Sequence, residues 1–246
     1  MKEGSRLFEI DGARGVAILM MVVYHTVFDL GFLGIAPVDA LSGPWRYFAY
    51  ATASLFLLIV GISLVVSRAR AARGAGGVLP AGKFLRRGAG IFALGLLVTL
   101  ATWLYLPQNF VVFGILHLIG ISILLSPLFF RFDRWNLIIG AVFVLSGWAI
   151  AGTTGPAFLL PLGIMPPGFA SVDYTPIFPW LGVVLIGLGL GSVLYAGGKR
   201  QFRIPPVPDR LVAPLSFLGR HSLVIYLIHQ PVIILLLGLV TGTLVL

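Results

Sequence analysis

Seven apolar runs dominate this chain: 10–32, 45–67, 88–106, 110–130, 136–154, 174–197 and 220–246. Crossing a hydrocarbon core of about 30 Å takes about 20 mostly apolar residues as a helix. In lipid the backbone must satisfy its own hydrogen bonds. Runs of this length therefore predict an all-α, polytopic transmembrane helical bundle of about seven spans, filling residues 1–246 as a single domain. Composition agrees: 59% of residues are hydrophobic and 10% charged, against about 25% charged in soluble domains. Mean hydropathy is +1.04. The stretch 211–219 predicts a short interfacial helix before the last span. The first run is too long for a cleaved signal peptide and carries His25 and Asp29 near its far end.

The net charge of +9 could point to nucleic acid, but its distribution does not. Of 17 lysines and arginines, fifteen fall on one side of these spans: Lys2, Arg6, Arg68, Arg70, Arg73, Lys83, Arg86, Arg87, Arg131, Arg134, Lys199, Arg200, Arg203, Arg210 and Arg220. Arg46 lies on the other side, and Arg14 lies inside the first span. Positive charge is retained on the cytoplasmic face. The expected topology thus has the N-terminus and the 68–87 loop in the cytoplasm and, for an odd number of spans, the C-terminus outside the plasma membrane. The absence of cysteine excludes a thiol nucleophile, cysteine–metal sites and disulfides.

The first span is not uniformly apolar. Asp11, Arg14, His25 and Asp29 lie within about 60° of one another on a helical wheel. Charges within a membrane helix are costly, about 2.5–3.5 kcal/mol each on insertion scales, and usually face the protein interior or a water-filled cavity. Asp29 stands one turn beyond His25, where a carboxylate can orient an imidazole and raise its basicity. The same pair could serve as a proton relay in a small proton-coupled transporter. A non-catalytic membrane scaffold is a third reading. The last span opens LGRHSLVIYLIHQPV, placing Ser222, Tyr226 and His229 on one face ahead of Pro231, with Arg220 and His221 at the mouth. His117 is flanked by Gly114 and Gly120, a small face that a neighbouring helix can approach. Gly187 and Gly191 form a GxxxG spacing, the mark of close helix packing within the bundle or between two copies. No GxSxG elbow, HExxH pair or paired-carboxylate metal motif is present.

Three loops punctuate the spans. The basic, glycine-rich 67–87 loop reads as an anchor held near anionic lipid or as a phosphate-binding strip. The Pro/Gly-rich 155–176 loop can cover a cavity. The basic 198–211 loop carries a short extended proline run.

RLFEIDGARGVAILMMVVYHTVFDL, FGILHLIGIS, PLGIMPPGF with VDYTPIFPWLGVVLIGLGLG, and LGRHSLVIYLIHQPV together resemble the heparan-α-glucosaminide N-acetyltransferase catalytic-domain family. The likeness spans roughly residues 6–235. Arg14 and His25 also match the arginine–ten residues–histidine pattern of the wider integral-membrane acyltransferase-3 group. The resemblance implies acetyl transfer from cytoplasmic acetyl-CoA to a sugar-like or lipid-linked acceptor on the far side. Animal members resemble this chain less at the first helix: they carry Asn there and a histidine in the following loop. The 31–44 loop here has no histidine, so the likeness implies an intramembrane base at His25, with Asp29 and Arg14 assisting. Asp11, His117, Asp173, Ser222, Tyr226 and His229 would line the acceptor tunnel. Arg14, Lys83, Arg86, Arg87 and Arg220 would meet the CoA phosphates. No metal and no nucleic acid enter this scheme.

The charge asymmetry generates the first prediction. Because the chain has no cysteine, a single cysteine at Gly76 can be labelled cleanly. In intact cells Gly76→Cys should resist a membrane-impermeant thiol reagent and react only after permeabilisation. Labelling from outside would invert the topology.

Overall fold

The structure is a computed structural model that describes residues 7–77, 79–205 and 207–242. Lys2 and Arg6, counted above among the cytoplasmic cations, lie outside the described residues, as does 243–246 of the last predicted span. The described residues form eight α-helices: α1 (Phe8–Phe32), α2 (Gly43–Gly74), α3 (Ala81–Tyr105), α4 (Ile115–Phe129), α5 (Asn136–Ile150), α6 (Ile177–Leu194), α7 (Asp209–Arg220) and α8 (Ser222–Thr241). Among them β-structure is confined to two isolated bridges, Phe113 with Tyr174 and Thr154 with Met165. Among the described residues six segments are long and apolar enough to cross a membrane.

The predicted spans 110–130 and 136–154 become one such segment, Ile115–Ile150. It consists of two 15-residue helices joined by a 3-10 turn, Phe130–Trp135. Each is about 22 Å long, less than the hydrocarbon core alone. The two run in opposite senses along α6. α4 begins where the segment leading into α6 passes, with the Thr175 N–H donating to Phe113 O (2.8 Å). α5 leaves the turn beside the end of α6, Leu137 against Gly189, and finishes near its start, Gly147 against Pro179.

The chain sorts into two compact units, a terminal one (residues 1–59 and 204–246) and a central one (60–203). In the terminal unit α1 packs along α7 and against α8. Glycine makes the α1–α7 crossing possible. A Cβ on Gly15 would collide with the carbonyl of Leu215, and one on Gly219 with the carbonyl of Asp11. The predicted interfacial helix is thus α7, pressed backbone to backbone on the start of α1.

In the central unit α6 is the hub. Gly187 and Gly191, the GxxxG pair, face α2 near Gly61 and Ile62. Gly182 meets Gly140 of α5: a Cβ on either would lie within 2.6 Å of the other's carbonyl oxygen. Large apolar side chains such as Leu97, Leu104, Ile138 and Leu145 stay exposed, as expected of a surface solvated by lipid tails. The basic residues of this unit gather at one end. Arg68 bridges to Asp133 (2.9 Å), Arg73 donates to Gly197 O (3.0 Å), and Phe84, next to Lys83, packs edge-on against Phe130 at 5.2 Å.

The Gly140–Gly182 contact generates a stability prediction. Overpacking typically costs about 1–3 kcal/mol, and here the obstacle is rigid backbone. Gly182→Val should lower the melting temperature in detergent markedly. Gly90→Val, whose Cβ would meet open space, should leave it nearly unchanged. Equal melting of the two variants would remove the close contact.

Candidate functional site

The polar stripe of α1 faces α7 and α8 of its own unit. At its N-terminal end Arg14 Nη1 donates to Asp11 Oδ1 (3.1 Å) and to Gly219 O (3.3 Å). This pair spans the α1–α7 crossing that the two glycines create. Arg220, the next residue on α7, is exposed.

The other end of the stripe meets α8. His25 Nδ1 lies 2.9 Å from Met21 O. A carbonyl only accepts, so Nδ1 carries the proton and Nε2 keeps its lone pair. His229 repeats the device, with Nδ1 2.6 Å from Tyr226 O. The two rings stand 4.8 Å apart, edge to face at 76°. Asp29 is buried, 3% exposed. Its Oδ1 accepts from Gln230 Nε2 at 3.2 Å. The expectation that Asp29 orients the His25 ring is therefore corrected: the carbonyl of Met21, one turn back, fixes the ring, and Asp29 turns to α8 instead.

Three polar atoms in this cluster have no hydrogen-bond partner among the described residues: Asp29 Oδ2, His229 Nε2 and Gln230 Oε1. Each has a lone pair open to a donor. The amide nitrogen of Gln230 faces Asp29, which forces its oxygen to be the unpaired atom. His229 Nε2 is an acceptor because its Nδ1 donates. An orphaned buried polar atom costs about 1–3 kcal/mol. Three open lone pairs in one apolar bundle are matched by a group rich in N–H or O–H donors. Tyr226 flanks it, its ring 5.5 Å from that of His229, and Ser222 is half-buried one turn earlier.

Gln230 is not among the residues singled out from sequence, where the Ser222–Tyr226–His229 face stops one residue short of it. The available signal was a second polar side chain inside an apolar run, directly before Pro231. Proline removes one rung of the helix ladder, yet α8 continues through it to Thr241.

Two candidates belong to the central unit. His117 Nδ1 accepts the N–H of Gly114 (3.2 Å), and its Nε2 lies 3.4 Å from Thr99 Oγ1. The ring stacks on Phe113 and meets Phe92 edge-on. Asp173 Oδ2 accepts the N–H of Ile115 (3.0 Å), and its Oδ1 accepts the Thr175 hydroxyl (2.9 Å). Together they satisfy donors at the α4 N-terminus, where negative charge is favoured. The expectation for both is a tunnel wall; in the structure their polar atoms serve the first turn of α4. Lys83, Arg86 and Arg87 project from the first turns of α3, exposed and without an ion pair among the described residues. No group of three or more His, Cys, Asp or Glu among those residues could hold a metal ion.

Fold and site together define an integral-membrane helical bundle with a buried histidine–carboxyl–amide cluster. Residues 6–231 match the family model described as heparan-alpha-glucosaminide N-acetyltransferase, catalytic. The chain belongs to that family, one of membrane acetyltransferases. No curated protein and no solved structure matches the chain.

Proposed function

We propose that the protein transfers acetyl from cytoplasmic acetyl-CoA to a hydroxyl or amine of a sugar-like or lipid-linked acceptor on the outer side of the plasma membrane. The observation that supports this reading is the set of three orphaned acceptors beside His25. A donor-rich acceptor satisfies Asp29 Oδ2, Gln230 Oε1 and His229 Nε2 with its own O–H or N–H groups. It thereby presents one of them to His25.

In this reading His25 Nε2 removes the proton of the attacking O–H or N–H as that atom bonds to the thioester carbonyl carbon. The carbon–sulfur bond then breaks, and the departing CoA sulfur takes the proton back from the imidazolium. His25 ends neutral and ready for another cycle. The Met21 carbonyl keeps the tautomer right throughout. His229 holds a second donor of the acceptor and steadies its approach. Asp29 and Gln230 set its orientation.

Arg14 cannot share this work at close range. It lies eleven residues before His25 on one continuous helix, about 16 Å away along the axis. It is proposed instead as a contact for the CoA end of the donor, with Arg220 beside it. Lys83, Arg86 and Arg87 are proposed as phosphate contacts on the strength of their charge and exposure, because charge-assisted bonds to phosphate are the stronger kind.

Two predictions follow from these roles. With purified protein in nanodiscs, released CoA can be read by a thiol dye without background from this cysteine-free chain. His25→Ala should lower turnover roughly 100- to 10,000-fold, the range for a general base. Gln230→Leu should raise the acceptor KM roughly two- to tenfold, the worth of a neutral hydrogen bond, with the acetyl-CoA KM unchanged. An amino sugar and its hydroxy counterpart, run side by side, decide between N- and O-transfer. Near-normal turnover by His25→Ala would remove the base. Proton uptake without CoA release would move the reading to a relay.

The second concerns the donor. Replacing Arg86 and Arg87 together by Gln should weaken CoA binding and flatten its salt dependence. An unchanged dissociation constant and salt slope, measured on correctly inserted protein, would return this pair to the role of topological anchor.

A further inference from the structure

A cleft of about 820 Å³ opens in the central unit between the end of α2, the 3-10 turn and the end of α6. Its size falls within the range of small-molecule sites, about 300–1,000 Å³. The lining is mixed. Arg68, Arg131 and Arg134 supply cations, with Asp133 as the only acid. Val65, Ala69, Trp135 and Val193 supply apolar surface, and Ser192 adds a hydroxyl.

The 3-10 turn that builds this cleft is strained. Asp133 has φ 40° and ψ −119°, an unfavourable conformation for a residue with a side chain. It is held there by Arg68, which donates to Asp133 Oδ1 (2.9 Å) and to Phe130 O (2.6 Å). Asn136 Nδ2 also donates to Asp133 O (2.8 Å) and Phe129 O (3.0 Å). The turn sets Arg131 and Arg134 on the wall, exposed and outside any ion pair among the described residues. Trp135 beside them is 60% exposed.

The place of the cleft along α2 indicates its occupant. α2 has 32 residues, about 48 Å at 1.5 Å per residue. It outruns a hydrocarbon core of about 30 Å. Its apolar stretch ends at Val65 and Val66, and its charged turns begin at Arg68. The cleft lining crosses that boundary, running along α2 from Val65 past Arg68. An exposed tryptophan at this level is the common interfacial anchor.

We propose that this cleft binds the phosphodiester headgroup of an anionic phospholipid, with Arg131 and Arg134 on the phosphate and Trp135, Val65 and Val193 against the first acyl carbons. The site lies in the unit that does not contain His25. It does not depend on the acyl-transfer reading.

The test uses the full chain in detergent and native mass spectrometry with phosphatidylglycerol and phosphatidylcholine. Wild type should retain phosphatidylglycerol in preference. Arg131→Gln with Arg134→Gln should reduce that preference about tenfold or more, since each basic residue near an anionic surface contributes on the order of 1 kcal/mol. Ala196→Leu keeps every charge but fills the cleft, and it should reduce the preference too. A filled cleft with undiminished selectivity would reduce the site to diffuse attraction and overturn the proposal, even where the double variant folds poorly. Displacement of the lipid by CoA or inorganic phosphate, with loss of CoA affinity in the double variant, would make the cleft a site for soluble phosphates and overturn it equally.

Discussion

Close backbone approach through glycine is the constraint on which this structure rests. Between helices in lipid the hydrophobic effect offers little, because acyl chains are as apolar as leucine; van der Waals contact and hydrogen bonds must hold the bundle. In the terminal unit Gly15 and Gly219 bring α7 onto α1. α7 ends at Arg220 and α8 begins at Ser222, so fixing α7 also fixes where α8 starts. Two turns later α8 delivers His229 and Gln230 to His25 and Asp29. The chemistry near the far end of α1 is therefore set by a glycine contact near its beginning. In the central unit the Gly140–Gly182 contact locks α5 on α6 and so fixes the strained turn that precedes α5.

The polar groups of the two units differ in how they are satisfied. His117 and Asp173 spend their hydrogen-bonding capacity on the first turn of α4. Asn136 uses both amide hydrogens on the 3-10 turn. In the α1–α8 cluster each imidazole is pinned at one nitrogen by a backbone carbonyl, and acceptors on three neighbouring side chains stay open. Membrane interiors make such orphans expensive. A bundle selected only for stability would close them with a donor or replace them by leucine. The central unit leaves one such atom, Asn136 Oδ1, whereas the α1–α8 cluster gathers three on adjoining side chains.

Much of this was legible in the sequence where the signal was local. Long apolar runs located the spans, and the 3.6-residue period put Asp11, Arg14, His25 and Asp29 on one face. GxxxG marked α6 as a packing helix. What the sequence hid depended on partners far along the chain. Asp173 is 58 residues from the amide it caps, and Gln230 is 201 residues from Asp29. The i, i+4 spacing of His25 and Asp29 permitted a ring–carboxylate bond. It could not reveal that the carbonyl of Met21, present at that spacing behind every helical residue, would take the ring first. The fourth and fifth spans were separated correctly in direction, but the shortness of each helix is a tertiary outcome of the turn that joins them.

The single helix α1 imposes a division of labour on any transfer reaction run here. Arg14 is tied to Asp11 and Gly219 O, and a straight helix keeps it about three turns from His25. No one reacting carbon can touch both. In the proposed reaction the guanidinium therefore serves a remote part of a long donor, whereas the imidazole acts at the bond that changes. A long, flexible thioester suits this separation, since its anionic end and its reactive carbonyl are far apart. Binding energy gained at the remote end can then hold the carbonyl beside the base.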